Sequence, residues 1–382
     1  MKGTRIMIYE LKHFDTTIIK FSLEHEALKG IVCKIIWSDD SNKDYFPIGV
    51  QATDDSVLSW LKSRTVPKNR GYVEALLASI NLAENDLIGV LNICKGLSLN
   101  DSYWVVEEGF DGAFSDYNLY DNKFLTALSL IAYTGYGSVK AKGFTSSPEF
   151  TTNGMLRKGW RRFGDKIYLY KGGTQGASNT GNEPYSEYYA CEIARAMGVN
   201  HITYTLSSWK KSVCSVCELF TSKDISYVPI WRFGEFRTVV DVSNYLKSLG
   251  DDFYNDFVDM MIFDALIYNT DRHQGNFGLL VDSHTNKPIS LAPIFDNGLG
   301  LFPYAVTDDL KNISSYAKTR DSAFGISFDE IAKAYITDRQ KAQLRKVLDF
   351  SFTLDKNYNL PAKRVKIIEK FIRERASELL TI

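Results

Sequence analysis

No stretch of this sequence is apolar for long enough to cross a bilayer. The most apolar run, Leu125 to Tyr133, is far short of the roughly 20 residues that a spanning helix needs. The opening residues, MKGTRIMIYE, lack the apolar core of a secretory signal. The chain is therefore expected to work in the cytoplasm and off the membrane. Cysteine is scarce: five residues, at 33, 94, 191, 214 and 217, are an odd number at low density, which argues against a disulfide framework. Cys214-Ser-Val-Cys217 has neither the second pair nor the nearby histidines of a zinc site, and reads as two buried thiols in a strand. Neither sign of charge is in excess, with 45 Lys+Arg against 46 Asp+Glu. A protein held on nucleic acid by its phosphates usually shows a basic surplus, so no direct nucleic-acid binding is expected. Internal repeats, low-complexity tracts and the G-x-G-x-x-G phosphate loop are also missing.

What is present suits a globular protein of two domains. The 382 residues are 45% hydrophobic and 24% charged, and either half could bury a core. In the first part, Thr16 to Phe21 and Gly30 to Trp37 are short, apolar and β-branched, the pattern of strands. Asp54-Asp55-Ser56 precedes Val57, Leu58, Trp60 and Leu61, the pattern of a capped amphipathic helix. A second helix is expected after Pro67. Between the two, Lys62, Arg64, Lys68 and Arg70 read as a solvated turn. Turn-rich sequence from about 134 to 150 suits a boundary, which we set between 140 and 141.

The second part has a clearer order. A strand, Lys166 to Lys171, leads through a polar loop to a helix opened by Pro184 and closed by Gly198. Two apolar strands follow, then a long amphipathic helix from about Tyr254 to Tyr268. A hairpin is expected next, with strands Asn276 to Val281 and Ile289 to Phe295, and the last hundred residues read mostly as helices.

The chemistry is concentrated around that hairpin. Phosphoryl transfer needs the nucleotide positioned, Mg²⁺ held against its phosphates, and an acceptor hydroxyl oriented by a carboxylate. Asp271 and Asn276 are five residues apart, the kinase spacing between the base Asp and the metal-binding Asn. Antiparallel pairing from Asn276 would return the chain to Asp296-Asn297-Gly298 beside it. Asn276 and Asp296 then offer hard oxygen ligands to Mg²⁺. Asp, Asn and Gly are also ordinary turn residues; it is the conjunction of helix, D-R-H-x-x-N, hairpin and apolar-flanked Asp that points to catalysis.

Asn269-Thr-Asp-Arg-His-Gln-Gly-Asn-Phe277 resembles the catalytic loop of HipA-like serine/threonine kinases, and Pro293-Ile-Phe-Asp-Asn297 resembles their metal-binding segment. The same string is similar to that of phosphoinositide kinases. The resemblance covers about residues 145 to 350. It implies an α+β, bilobal protein-kinase-like domain at 141–382, with lobes at about 141–222 and 223–382, preceded by an additional α/β domain at 1–140. Its cofactors would be ATP and Mg²⁺. Asp271 would be the catalytic base, with His273 at the γ-phosphate or bracing the loop, and Arg272 supporting loop geometry.

Further residues follow from the same resemblance. Lys171 matches the ATP-binding lysine and Glu187 its ion-pair partner, with Glu183 and Glu192 as rivals. Glu218 and Phe220 match the hinge positions whose backbone binds adenine. Thr151-Thr152-Asn153-Gly154-Met-Leu-Arg157-Lys158 is similar to the phosphate-covering loop, with Gly154 and Lys158 at the nucleotide and Thr151 or Thr152 as autophosphorylation candidates. Arg157 and Lys158 are candidates for phosphate contact, and Arg161 and Arg162 read as solvated. The implied function is a protein Ser/Thr kinase, as in toxin–antitoxin pairs. Its implied partners are a protein substrate, such as an aminoacyl-tRNA synthetase or other translation factor, and a small DNA-binding antitoxin. Residues 1–140 do not match the usual HipA N-terminal domain, so partner and target stay open. The alternatives are a phosphoinositide or small-molecule kinase, disfavoured by the acidic Asp308 and Asp309, and a non-catalytic nucleotide-binding interaction module.

Overall fold

A computed structural model describes residues 7–26, 28, 30–83, 86–138, 147–177 and 179–382. The expected boundary between 140 and 141 lies outside the described residues. The chain divides into two compact units, one of residues 1–167, 219–228 and 280–289, the other of 168–218, 229–279 and 290–382.

In the first unit, strands β1 (Ile8–His13), β2 (Thr16–Glu26) and β3 (Gly30–Ser38) are followed by helices α1 (Asp54–Ser63), α2 (Val73–Ala78) and α3 (Leu87–Cys94). Strand β4 (Tyr103–Glu107), helices α4 (Phe114–Tyr117) and α5 (Thr126–Thr134), and strand β5 (Lys158–Phe163) come next. An antiparallel sheet in the order β3-β2-β1-β4 carries the core. Leu11, Ile18, Ile19 and Phe21 from the sheet pack with Val57, Trp60 and Leu61 of α1, all at most 3% exposed. Thr53 caps α1, its side chain accepting from the Ser56 amide.

The basic group between α1 and α2 is only in part the solvated turn expected, since Lys62 and Lys68 are exposed. Arg64 and Arg70 are buried, because each has a carboxylate partner: Asp101 at 2.5 Å and Glu149 at 2.6 Å. Arg162, expected in solvent, donates from Nη2 to the carbonyls of Leu119 and Tyr120 at 2.8 Å each.

The second unit begins within β6 (Lys166–Gly172), followed by α6 (Glu183–Met197), β7 (Tyr204–Trp209) and β8 (Ser212–Glu218). β6 and β7 flank β8, both antiparallel to it. Along the chain come β9 (Ile225–Pro229), nearly all of it in the first unit, then α7 (Val239–Leu249) and α8 (Asp251–Ile267), and then β10 (Gly278–Asp282) and β11 (Pro288–Leu291), each shared between the two units. The C-terminal helices are α9 (Thr307–Lys311), α10 (Ile313–Ala317), α11 (Phe328–Tyr335), α12 (Asp338–Arg345) and α13 (Ala362–Leu380).

Helix α8 is the axis of this unit. Every residue from Phe257 to Ile267 is buried, because α7, α11, α12 and α13 surround it. A helix buried all round must satisfy its polar groups internally. Asp259 accepts from Arg339 Nη2, Gln340 Nε2 and Gln343 Nε2 at 2.6–2.9 Å. Tyr268 ends the helix in the left-handed region, at φ 53°, and turns the chain into the loop that carries Asp271.

Candidate phosphotransfer site

The catalytic-loop candidate is held from beneath by Arg272. Its guanidinium is 2% exposed, and it donates from Nε to Asp264 Oδ2 at 2.8 Å, from Nη2 to Asn297 Oδ1 at 2.6 Å and from Nη1 to the Asn276 carbonyl at 3.0 Å. Nη1 also donates to the Phe295 carbonyl. A planar fork with five donors can join four acceptors in this way; an ammonium could not. Burial works against the Arg272 charge, but the Asp264 carboxylate outweighs it and raises the pKa further.

Arg272 also accounts for a difference from the expected hairpin. The β10–β11 ladder ends near Gly278, whose carbonyl accepts from the Ala292 amide at 2.8 Å. Beyond it the chain turns to a different neighbour. The Ile294 amide donates to Asn200 O and its carbonyl accepts from the Ile202 amide, both at 2.9 Å. Asn276 and Asp296 are therefore not aligned by strand register. The guanidinium that grips the Asn276 and Phe295 carbonyls ties the two segments together.

Within the loop, Asn276 Nδ2 donates to the Asp271 carbonyl at 2.8 Å and to Asp271 Oδ2 at 3.2 Å. The Asp271 amide donates to Asn269 Oδ1 at 3.3 Å. Burial, followed by the negative charge of Asp296, raises the Asp271 pKa above the ordinary aspartate value. His273 is exposed; its Nδ1 accepts from the Gly275 amide at 3.0 Å.

Lys171 stands at the end of β6, where Ile167, Leu169 and Lys171 alternate onto one face. Its Nζ lies 2.6 Å from Glu187 Oε1 and also donates to Asp296 Oδ1. Burial opposes the ammonium, yet Asp296 and then Glu187 more than compensate and keep its pKa above the ordinary lysine value. Burial also pushes the Glu187 carboxyl up, against the pull of Lys171. The rivals have other partners. Glu183 accepts from the Tyr304 hydroxyl at 2.7 Å and from the Thr174 amide, while Glu192 pairs with Arg195.

Two residues of this cluster were not picked out in the sequence. Asn297 joins Arg272 to Glu187, whose Oε2 accepts from the Asn297 amide at 2.7 Å. The Tyr204 hydroxyl accepts from the Asp296 amide at 3.3 Å. Asp296 has φ 55°, a left-handed conformation that a short polar side chain tolerates better than most. Asn297 carried a sequence signal, as a polar residue following an aspartate at the end of an apolar segment. Tyr204 carried none.

The set Lys171, Glu187, Asp271, Asn276 and Asp296 lies in the second unit. Its donors fit Mg²⁺: the Asn276 amide nitrogen is committed to Asp271, so Oδ1 would be the atom offered to a cation, and Asp296 would add a carboxylate. No cluster of three or more His, Cys, Asp or Glu suited to hold a metal occurs among the described residues. Such a cation would complete its shell with phosphate oxygens and water, the ordinary habit of Mg²⁺.

The remaining candidates lie elsewhere in the chain. Glu218 is the exposed last residue of β8. Phe220 belongs to the first unit and meets the Tyr227 ring edge-on, with centroids 5.7 Å apart. The Thr151–Lys158 loop is also in the first unit. Gly154 there has φ +90°, a left-handed conformation that other residues adopt only with strain. Lys158 Nζ donates to Asn153 O at 2.7 Å. Thr151 is buried with its hydroxyl donating to Leu97 O at 2.8 Å, whereas Thr152 is half-buried and bonded to Pro148 O and Trp160 Nε1.

No protein-family model matches the chain. Over 138 residues it is 31% identical to the serine/threonine-protein kinase CtkA of Helicobacter pylori, a match spanning 32% of this chain and 42% of that kinase. The chain thus spans less than half the length of the curated relative it matches. The crystal structure of H. pylori CtkA, a proinflammatory kinase, covers 60% of this chain and 90% of its own at 19% identity, with a TM-score of 0.48. HipA of Shewanella oneidensis MR-1, solved with HipB and operator DNA as a toxin–antitoxin system, covers 98% of this chain and 99% of its own at 12% identity, with a TM-score of 0.51. This second likeness gives the fold, which is α+β and extends over nearly the whole chain. No helix among the described residues is long and apolar enough to cross a membrane. The comparisons thus give the chain a HipA-like fold and, over about a third of its length, a sequence similarity to a serine/threonine-protein kinase.

Proposed function

We propose that the chain is an ATP-dependent protein serine/threonine kinase whose phosphotransfer site consists of Asp271, Asn276, Asp296, Lys171 and Glu187. The observation that carries this reading is the convergence on Asp296. Lys171 donates to it directly, Glu187 holds the next amide, and Arg272 ties its segment to Asn276. A surface loop of turn residues has no need of a buried lysine–glutamate pair and a buried arginine fork.

In this reading Asp271 accepts the proton of the acceptor serine or threonine hydroxyl, and its raised pKa makes it a better base than an ordinary aspartate. Asn276, through its bond to Asp271, keeps that carboxylate turned toward the acceptor. Lys171 binds phosphate oxygens of ATP, oriented by Glu187. Asn276 Oδ1 and Asp296 would hold Mg²⁺, which when bound neutralises charge on the transferring phosphates. His273, exposed beside Asp271, is available to the γ-phosphate or to the acceptor. Glu218 and Phe220 are proposed for adenine, and Gly154 and Lys158 for the phosphates, on the family resemblance.

Partners follow the same reading. A protein acceptor, a translation factor among the candidates, is proposed, as is a small DNA-binding antitoxin, supported by the complex in which the Shewanella HipA was solved. Incubation with Mg-ATP and a proteome-wide acceptor pool tests the activity. The native chain is expected to add phosphate to Ser or Thr residues and Asp271→Ala to add none; equal labelling by both would sink the reading.

A further inference from the structure

We propose that Arg70, supplied by the N-terminal region, positions the 149–158 loop to receive phosphate on its backbone amides. The inference rests on reading that loop as the phosphate-covering one. Arg70 is 2% exposed and its guanidinium reaches the loop at three places. Nη1 donates to the carbonyls of Glu149 at 2.6 Å and Thr152 at 3.3 Å. Nη2 donates to Glu149 Oε2 at 2.6 Å and to the Lys158 carbonyl at 3.0 Å. Both ends and the middle of the loop are thus fixed by one side chain.

Neighbouring bonds act in the same direction. The Gly71 amide donates to Met155 O at 2.9 Å, the Thr151 hydroxyl to Leu97 O at 2.8 Å, and Lys158 Nζ to Asn153 O at 2.7 Å. The carbonyls of residues 152, 153 and 155 are therefore all engaged. In a trans peptide the next N–H lies opposite the carbonyl. Holding these three carbonyls turns the amides of Asn153, Gly154 and Leu156 away from their partners, around the exposed, positive-φ Gly154. Amides presented by such a turn form an anion-binding nest. A salt bridge serving stability alone would need only the Glu149 carboxylate; here three of the four acceptors are loop carbonyls.

The test compares native chain, Arg70→Lys and the volume-conserving pair Arg70→Met with Glu149→Leu, by ATP binding and by phosphoryl-transfer kinetics. Lysine keeps the charge but cannot span the acceptors. For folded variants, the KM and Kd for ATP are expected to rise on the order of tenfold, with a smaller change in kcat. ATP constants within about twofold of native in both folded variants would overturn the proposal. Should neither variant fold, Thr151→Val, which removes the hydroxyl bonds that anchor the same loop to Leu97 O and Pro148 O, takes their place: weaker ATP binding supports the proposal, and unchanged binding overturns it. A native chain that binds ATP but transfers nothing sinks the kinase reading alone, with the variants then judged on binding; one that binds no ATP overturns both.

Discussion

Glu187 uses both carboxylate oxygens to connect two parts of the site: Oε1 lies 2.6 Å from Lys171 Nζ, and Oε2 accepts from the Asn297 amide at 2.7 Å. Helix α6 is thereby bonded both to β6 and to the segment carrying Asp296. Any displacement of α6 is felt at the lysine and at the metal-ligand candidate together.

Glu187→Ala leaves the Lys171 ammonium buried with half its charge compensation, and breaking a buried pair costs about 3–5 kcal/mol. Glu192→Ala removes a pair whose arginine is half-exposed, worth at most about 1 kcal/mol. Urea denaturation of the two variants should separate them by that margin; equal midpoints would count against the selection of Glu187 over its rival.

Asp271 must be ionised to accept a proton, and its pKa is raised by burial and then by Asp296. Activity should therefore fall as pH drops through that raised value, placing the acid limb of kcat/KM above the ~3.9 of an ordinary aspartate. Asp296→Asn deletes a neighbouring negative charge and should move the limb to lower pH in whatever activity survives. A limb that stays in place would mean that another group is titrating.

Arg272→Lys keeps a positive charge but loses the fork that joins Asp264, Asn297 and the Asn276 and Phe295 carbonyls. A loss of about 3–5 kcal/mol in stability is expected. Faster hydrogen exchange across 271–276 and 295–297 should accompany it, because both segments lose their common anchor.

His13, in the first unit, offers a check on stability alone. Burial pulls its pKa below 6.5, opposed in part by its contact with Ser283 O at 2.5 Å. A depressed histidine contributes stability that is complete above the unfolded value and is lost as pH falls through it toward the folded one. Stability should thus decline below about pH 6.5, with His13→Gln reducing the slope by up to about 1.4 kcal/mol per pH unit.

Elements whose signals lie within a few residues were readable. α6, with Pro184 near its start and Gly198 past its end, and α8, with its apolar stripe, formed within a few residues of their expected limits. α7 has a local signal of its own, the capping box of Thr238 and Asp241 that marks its start. β1 and β4 are not legible in the sequence. Both run between other strands or beside them, mostly buried, so the alternation that betrays a half-exposed strand is absent.

Local spacing is enough to pair Asp271 with Asn276, because a bond across five residues needs no distant partner. Strand alternation likewise puts Lys171 on the face of Ile167 and Leu169. Tertiary structure decided the rest: which glutamate meets Lys171, that Asp296 is placed by Arg272 and not by strand register, and that Arg70 is buried against a loop and not solvated. Each of these depends on partners far along the chain. Whether a charged side chain lies in water or in the interior is set by the carboxylates and carbonyls that folding brings to it, and composition alone does not name them.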